Sequence, residues 1–166
     1  QPNDRILDLC GGHGRHALEL CRRGNYDCTV LDYSRSLLDV GKRNAVDRQS
    51  AIRFIQGDAR RTPLPAETFD HVLILGNSLG YIMEPGADLK ILEESHRLLK
   101  PLGWLLLDVS DGGAARTSLA PQAWHEIGDD IVVCRQRELI IGRIRAREVV
   151  LSKKKGLIRD KTYGIQ

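Results

Sequence analysis

Five short apolar runs set the rhythm of the first two thirds of the chain. Residues 6–9 (ILDL), 28–31 (CTVL), 52–55 (IRFI), 72–75 (VLIL) and 104–109 (WLLLDV) read as strands. The run at 72–75 is apolar throughout, which predicts a strand inside a sheet, covered on both faces. Helical spacing fills three of the gaps. Ala17, Leu18 and Cys21 recur within a helix over residues 14–23, with Gly24 as its stop. Ser34 is placed to cap a second helix, with Leu37, Leu38, Gly41 and Ala45 along one face. A third covers residues 86–100, with Leu89, Leu92 and Leu99 in one stripe and Pro101 and Gly103 ending it. Pro63 and Pro65 keep the fourth gap irregular. Strands and helices in alternation predict a parallel sheet with helices on both faces.

The pattern changes after Asp111. Residues 112–122 read as a linker of small residues. Residues 131–134, 138–141, 144–151 and 157–163 read as strands, with a hairpin tip at 153–156. Alternation places Arg143, Arg145 and Arg147 on one strand face. The fold class is therefore α/β: a Rossmann-like, doubly wound, mostly parallel sheet, plus an antiparallel β extension at the C-terminal end. Residues 1–111 are the predicted core, and residues 112–166 an extension or lid of the same domain.

At 166 residues the chain has the length of one domain. No apolar run approaches the ~20 residues of a membrane span, and the opening QPNDR is not a signal sequence. The start, without Met and five residues before the first strand, predicts that something upstream is missing. Cys10, Cys21, Cys28 and Cys134 lack C-x-x-C spacing and are expected to be reduced thiols of a cytoplasmic protein, with no metal site. The net charge of +3 is uneven: from residue 135 onward ten Lys/Arg face three Asp/Glu, a balance of +7, against −4 in the rest. The basic end is either a set of solvated strand faces or a surface for an anionic substrate, nucleic acid or partner.

The candidate chemistry begins in the stretch ILDLCGGHGRHALEL (residues 6–20). Gly11, Gly12 and Gly14 let the backbone turn sharply between strand and helix and bring its N–H groups to a ligand, a nucleotide-type cofactor site. Gly12, Gly14 and Ala17 satisfy the dinucleotide pattern G-x-G-x-x-G/A. The same stretch resembles the first motif of class I S-adenosylmethionine-dependent methyltransferases, with Cys10 standing where the first glycine of that motif usually is. A ligand of a doubly wound sheet sits beyond the carboxyl ends of its strands. That brings in Asp32, Asp58 and residues 76–78. Asp32, eighteen residues after Gly14, suits the two ribose hydroxyls of either cofactor.

Further motifs carry the family resemblance. FIQGDA is similar to the family motif whose acid takes the adenine amino group, here Asp58, while the next backbone N–H, Ala59, reads a ring nitrogen. FDHVLILGNSLGY resembles the fourth motif, which would set Gly76 and Asn77 at the methionyl and sulfonium end. LLKPLGWLLLDV resembles the helix, turn and fifth strand. The likeness covers residues 5–110. It implies S-adenosylmethionine as cofactor, S-adenosylhomocysteine as product and in-line methyl transfer.

Asp8 lies inside an apolar strand, where an ionised carboxylate is costly unless satisfied. Donors of the glycine loop, or the cofactor's ammonium through water, are expected to satisfy it. Tyr33 is a candidate cover for the adenine or ribose and Tyr81 a candidate substrate neighbour, both equally readable as packing residues. His13 and His16 flank the helix start, and His96 reads as structural. With no nucleophile–base pair in the sequence, no catalytic residue is assigned; Tyr81, His13 and His125 are candidates only. GNSLGY departs from the Asn/Asp-Pro-Pro-aromatic motif of enzymes that methylate base amines. This argues against base-amine chemistry and makes nucleic acid the less favoured partner. In the family, strands inserted after the fifth strand often form a lid over small substrates, which favours a small-molecule acceptor, while the arginine face keeps an anionic substrate, or RNA, open. The family's usual last two core strands are not evident: either the chain stops before them or the extension replaces them. The rival readings are a non-catalytic scaffold that binds cofactor or partner, and an NAD(P)-dependent oxidoreductase, which has no need of Asp58. Oligomeric state is not legible.

Overall fold

A computed structural model describes residues 1–47 and 51–165. The chain divides into two compact units, Gln1–Leu79 with Gly86–Val109, and Gly80–Pro85 with Ser110–Gln166.

The first unit alternates β1 (Arg5–Leu9), α1 (Arg15–Arg23), β2 (Asp27–Asp32), α2 (Arg35–Asp47), β3 (Arg53–Gln56), β4 (Phe69–Ile74), α3 (Ala87–Leu98) and β5 (Leu99–Leu107). Its strands form one parallel sheet in the order β3-β2-β1-β4-β5. The order runs outward in opposite directions from β1 and β4. A right-handed crossover therefore carries α1 and α2 to one face and α3 to the other. On the first face Ile6, Cys28, Val30 and Leu73 bury against Ala17 and Leu38. Gly14 holds a left-handed φ of 74° where α1 begins, and a Cβ there would lie 3.0 Å from Phe54 and 3.1 Å from Val30. The helix can meet the sheet this closely only with glycine at that position.

The stripe expected on α3 is wrong in phase. Ala87, Ile91, Glu94, Ser95 and Leu98 are buried, whereas Leu89 is 60% exposed. Glu94 hid the true face, because it is buried as an acceptor. Its carboxylate takes the Thr62 N–H at 2.8 Å, the Thr62 hydroxyl at 2.6 Å and the Arg97 guanidinium at 2.6 and 2.8 Å. Leu37, expected on the inner face of α2, is exposed, while Leu38, Gly41 and Ala45 are buried. Ser34 does cap α2, accepting the Leu37 N–H on its hydroxyl and the Leu38 N–H on its carbonyl. The third helix ends at Leu98, so Pro101 and Gly103 fall inside β5, whose pairing with β4 shifts register there. β5 is an edge strand among the described residues, with Trp104 and Leu106 largely exposed.

In the second unit, residues expected as linker form α4 (Gly112–Ser118), capped by the Asp111 carboxylate, which accepts the N–H groups of Gly113 and Ala114. The sheet is an antiparallel meander of β6 (Gln122–Ile127), β7 (Ile131–Ile140), β8 (Arg143–Ser152) and β9 (Gly156–Ile165). β6 was not anticipated. β7 is one strand where two were expected: its polar middle, Arg135, Gln136 and Arg137, pairs without interruption with Glu148, Arg147 and Ala146. The tip at 153–155 is as expected, its N–H groups at Lys154 and Lys155 donating to the Ser152 hydroxyl. Residues Gly80–Pro85 lie against this sheet, with Tyr81 stacked on Tyr163 at 6.0 Å between ring centroids and Met83 over Gly164.

Candidate functional site

The carboxyl ends of β1 to β4 supply the site. β1 ends in a turn that no extended residue could make: Cys10 adopts φ 60° and Gly12 φ 57°. At Cys10 the left-handed conformation costs about 1–2 kcal/mol, which explains why glycine is the easier residue there. Burial pushes its thiol up to about 12, so it is a poor nucleophile at neutral pH. Gly11 is required by contact: a Cβ there would come within 2.6 Å of the Asp8 carboxyl carbon and 2.9 Å of its backbone oxygen. The Gly14 N–H donates to the Gly11 carbonyl at 2.9 Å. No side chain caps α1, so its first N–H groups stay available.

Asp8 is 1% exposed, and neither carboxylate oxygen has a hydrogen-bond partner. The expectation that glycine-loop donors satisfy it is not met; the loop presents Cα of Gly11 instead of an N–H. Burial raises its carboxyl to about 6. The Asp32 charge adds to the rise, while the nearby Ala17 N–H, without reaching hydrogen-bond geometry, and Arg15 oppose it. His16 Nδ1 lies 4.0 Å from Asp8 Oδ2, and burial together with Arg15 lowers the imidazole's affinity for a proton.

Asp32, at the end of β2, is tied to this loop. Its Oδ2 accepts the Gly12 N–H and its Oδ1 the Ser34 N–H, both at 2.8 Å. Its carbonyl accepts the Gly57 N–H at 3.1 Å, which brings the end of β3 alongside. Asp58 follows. Arg60 clamps it through Nε at 3.0 and 3.1 Å and Nη2 at 2.6 Å, and this holds the carboxyl below its usual range. Ala59 is buried behind it. Tyr33 is 78% exposed, and its carbonyl accepts from the Gln56 side chain.

Beyond β4, Gly76 and Asn77 take successive left-handed conformations, φ 71° and 59°. Asp108, just past β5, fixes them: its carboxylate accepts the Gly76 N–H at 3.0 Å and its carbonyl the Asn77 N–H at 3.1 Å. Arg15 reaches the same place, its Nη2 3.1 Å from where a Cβ of Gly76 would stand. Asp8, Cys10, Gly11, Gly12, Gly14, Asp32, Asp58, Ala59, Gly76 and Asn77 thus line neighbouring strand ends of one sheet. His13 is half-buried beside them, and its carbonyl would meet a Cβ of Gly41 at 2.7 Å. His96 is exposed on α3. Tyr81 and His125 belong to the second unit. Arg60, Asp108 and Arg15 were missed. Asp108 had a readable signal, an acid at the carboxyl end of a predicted strand; the others had none.

The model of a family described as "Methyltransferase domain" matches residues 6–103, the span that contains the carboxyl ends of β1 to β4. The chain belongs to that family. The resemblance to class I S-adenosylmethionine-dependent methyltransferases therefore holds. Among relatives of this methyltransferase-domain chain, the ubiquinone/menaquinone biosynthesis C-methyltransferase UbiE of Coxiella burnetii is 33% identical over 107 residues, which cover 62% of this chain and 41% of that protein. The chain thus spans about two fifths of the length of such curated relatives. An S-adenosylmethionine-dependent methyltransferase from Clostridium acetobutylicum matches with a TM-score of 0.84 at 15% identity, over 98% of this chain and 66% of that one. CalS10, an amino pentose methyltransferase from Micromonospora echinaspora, matches with a TM-score of 0.71 at 18% identity, over 99% and 70%. At these identities the two structures bear on the fold, which is the Rossmann-like one expected. No helix among the described residues is long and apolar enough to cross a membrane.

Proposed function

We propose that the chain is the working part of an S-adenosylmethionine-dependent methyltransferase with a small-molecule acceptor. The observation that carries this is the buried, unpartnered carboxylate of Asp8 beneath a glycine loop at the sheet's switch point. A buried acceptor pair without donors is expensive in the free protein, and a cationic ligand group would relieve it.

The residues fit the cofactor. Each oxygen of Asp32 accepts one N–H and keeps a lone pair, so the carboxylate can still take the two ribose hydroxyls. Asp58 is an acceptor at the next strand end, suited to an exocyclic amine, with the Ala59 N–H beside it for a ring nitrogen. Arg60 has to share Asp58 for this to happen. Gly12 and Gly76 put backbone instead of side chains toward the space that the methionyl end would need, with Cys10 and Asn77 beside them, while Tyr33 follows Asp32 at the adenine or ribose end. When bound, the cofactor supplies an activated sulfonium methyl group. The chain's own part is then to align the acceptor with that methyl and exclude water, worth ~7–11 kcal/mol in favourable cases. A base is needed only for an acceptor that arrives protonated, and none is assigned.

Residues 1–111 are assigned to cofactor binding and residues 112–166 to acceptor recognition. An anionic acceptor is the finer part of the proposal. Arg145 and Arg147 share a strand face, but Glu138 and Asp160 pair with them, and Glu148 pairs with Arg135 and Arg159. Arg137, half-buried on the opposite face, makes no ion pair among the described residues and is a cation that a negative acceptor could meet. A cytoplasmic setting accords with four free thiols.

Titration calorimetry with S-adenosylhomocysteine, run beside NADH, tests the reading. Micromolar binding of the former, lost in Asp32→Ala and Asp58→Ala, is the expected result. Binding of NADH alone would refute it.

A further inference from the structure

The two faces of the second unit's sheet differ in charge. The observed pairing and the alternation of side chains put Arg145 and Arg147 on one face, where Glu138 and Asp160 neutralise them. Arg135, Arg137, Glu148, Arg159 and Lys161 share the other, four cations to one acid. That acid, Glu148, is buried, with one oxygen held by Arg135 at 2.7 Å and the other by Arg159. Arg137 is left over: half-buried, with no side-chain hydrogen bond or ion pair among the described residues. In its row across the sheet Arg137 stands opposite Ala146, and Ala146 opposite Tyr163. Two strand spacings, about 10 Å, therefore separate Arg137 from Tyr163, with a buried methyl group as the floor between them. Residues Gly80–Pro85 complete the place. Met83 packs on Gly164, where a Cβ would lie 2.8 Å from its sulfur, and Tyr81 stacks on Tyr163 with 6.0 Å between ring centroids. Neither phenol hydroxyl has a hydrogen-bond partner among the described residues. Burial, with Tyr163 and Glu148 behind it, raises the Tyr81 phenol above its ordinary range against the pull of Arg135 and Arg137, so its hydroxyl stays a donor at neutral pH. A guanidinium fork on one side and phenol donors on the other, with the nearby carboxylate already paired, suit an anionic oxygen group.

We propose that Arg137, Tyr81 and Tyr163 form the subsite that holds an anionic group of the methyl acceptor, a carboxylate or a phosphate, an inference that rests on the methyltransferase reading above and its assignment of this unit to the acceptor. The anion then binds on the face opposite Arg145 and Arg147, whose charges are already neutralised. A cationic acceptor would meet an excess of like charge there.

The test is nuclear magnetic resonance of the chain labelled with carbon-13 in its tyrosine rings, of which there are four. Benzoate and inorganic phosphate are the anionic probes, and benzamide is the uncharged match to benzoate. Saturable shifts at Tyr81 and Tyr163, with a Kd of about 1–10 mM, are expected from at least one anion and not from benzamide. The tighter anion tells a carboxylate acceptor from a phosphate one. Arg137→Gln should weaken its binding by about tenfold, Arg137→Lys by less, and Tyr81→Phe, which keeps the ring stack, by about threefold. Arg145→Gln, on the opposite face, should change it by less than about twofold. Far-ultraviolet dichroism checks the fold of each variant, and Arg137→Lys serves if Gln disturbs it. No saturable response to either anion, equal shifts from benzamide, or an affinity that Arg137→Gln leaves unchanged would overturn the subsite. S-adenosylhomocysteine, titrated into the same chain by calorimetry, keeps the two readings apart. Its binding without an anion response overturns the subsite alone. An anion response in a chain that never binds it overturns the acceptor role and the methyltransferase reading together.

Discussion

Replacing Asp8 with Asn should make the ligand-free chain more stable at neutral pH while weakening its cofactor site. In the folded chain burial moves the carboxyl from 3.8 to about 6, with the Asp32 charge behind it. Between those two values the native state holds a proton that the unfolded state has released. Stability therefore falls as pH rises through the window, by about 3 kcal/mol in all. Asn at residue 8 carries no such penalty. The difference between variant and wild type should be smallest near pH 4, grow through pH 5 to 6 and level off above about pH 7. His16 is present in both chains, so its own titration cancels except for its coupling to Asp8 across 4.0 Å. The assay is urea unfolding followed by circular dichroism over this pH range. The amide's two N–H groups set a constant offset, so the diagnostic quantity is the slope of the difference, not its value at one pH. A flat difference from about pH 4 to pH 8, or one that shrinks as pH rises, would refute the reasoning, because it would mean that Asp8 is not held in its neutral-favouring surroundings.

Two further outcomes follow from the same structure. Glu94→Gln should destabilise the first unit by about 2 kcal/mol at pH 7, because the Glu94 carboxyl is held down to about 2 by Arg97 and Thr62. That contribution is complete above about pH 4.5 and disappears as pH falls towards 2, so wild type and variant should converge in acid, which thermal melts at stepped pH would read. Ile141→Asn should stabilise the second unit by roughly 1 kcal/mol, since Ile141 is 97% exposed at φ 47° before Gly142 at φ 75°, the two-residue turn geometry that prefers Asn-Gly; chemical unfolding of the two chains would measure it.

The sequence was most legible where periodicity and function coincide. The five parallel strands, their order of appearance and the residues at their carboxyl ends follow from apolar runs that each meet a glycine or an acid within two residues of their end, and local propensity and tertiary packing agree there. It misled where a polar group is buried for a structural reason. On α3 the inner face carries Glu94 and Ser95, and the Ser95 hydroxyl donates to the Ile91 carbonyl, so hydropathy picked out the exposed Leu89 instead. In β7 three polar residues look like a break but continue the strand, because Glu148 is buried between Arg135 and Arg159. Charges satisfied across strands are invisible to a one-dimensional pattern. The same reasoning separates two kinds of buried acid in this chain. Glu94 gathers four hydrogen bonds, has its carboxyl lowered to about 2 and stabilises the fold. Asp8 gathers none, has its carboxyl raised to about 6 and costs the free protein stability. A fold that needs only to stand would replace the second with an apolar residue, as it has at every neighbouring position of β1. An acid kept at the centre of the sheet, against the glycine that must not grow a side chain, is what the proposed function expects of a position where binding, not folding, sets the residue.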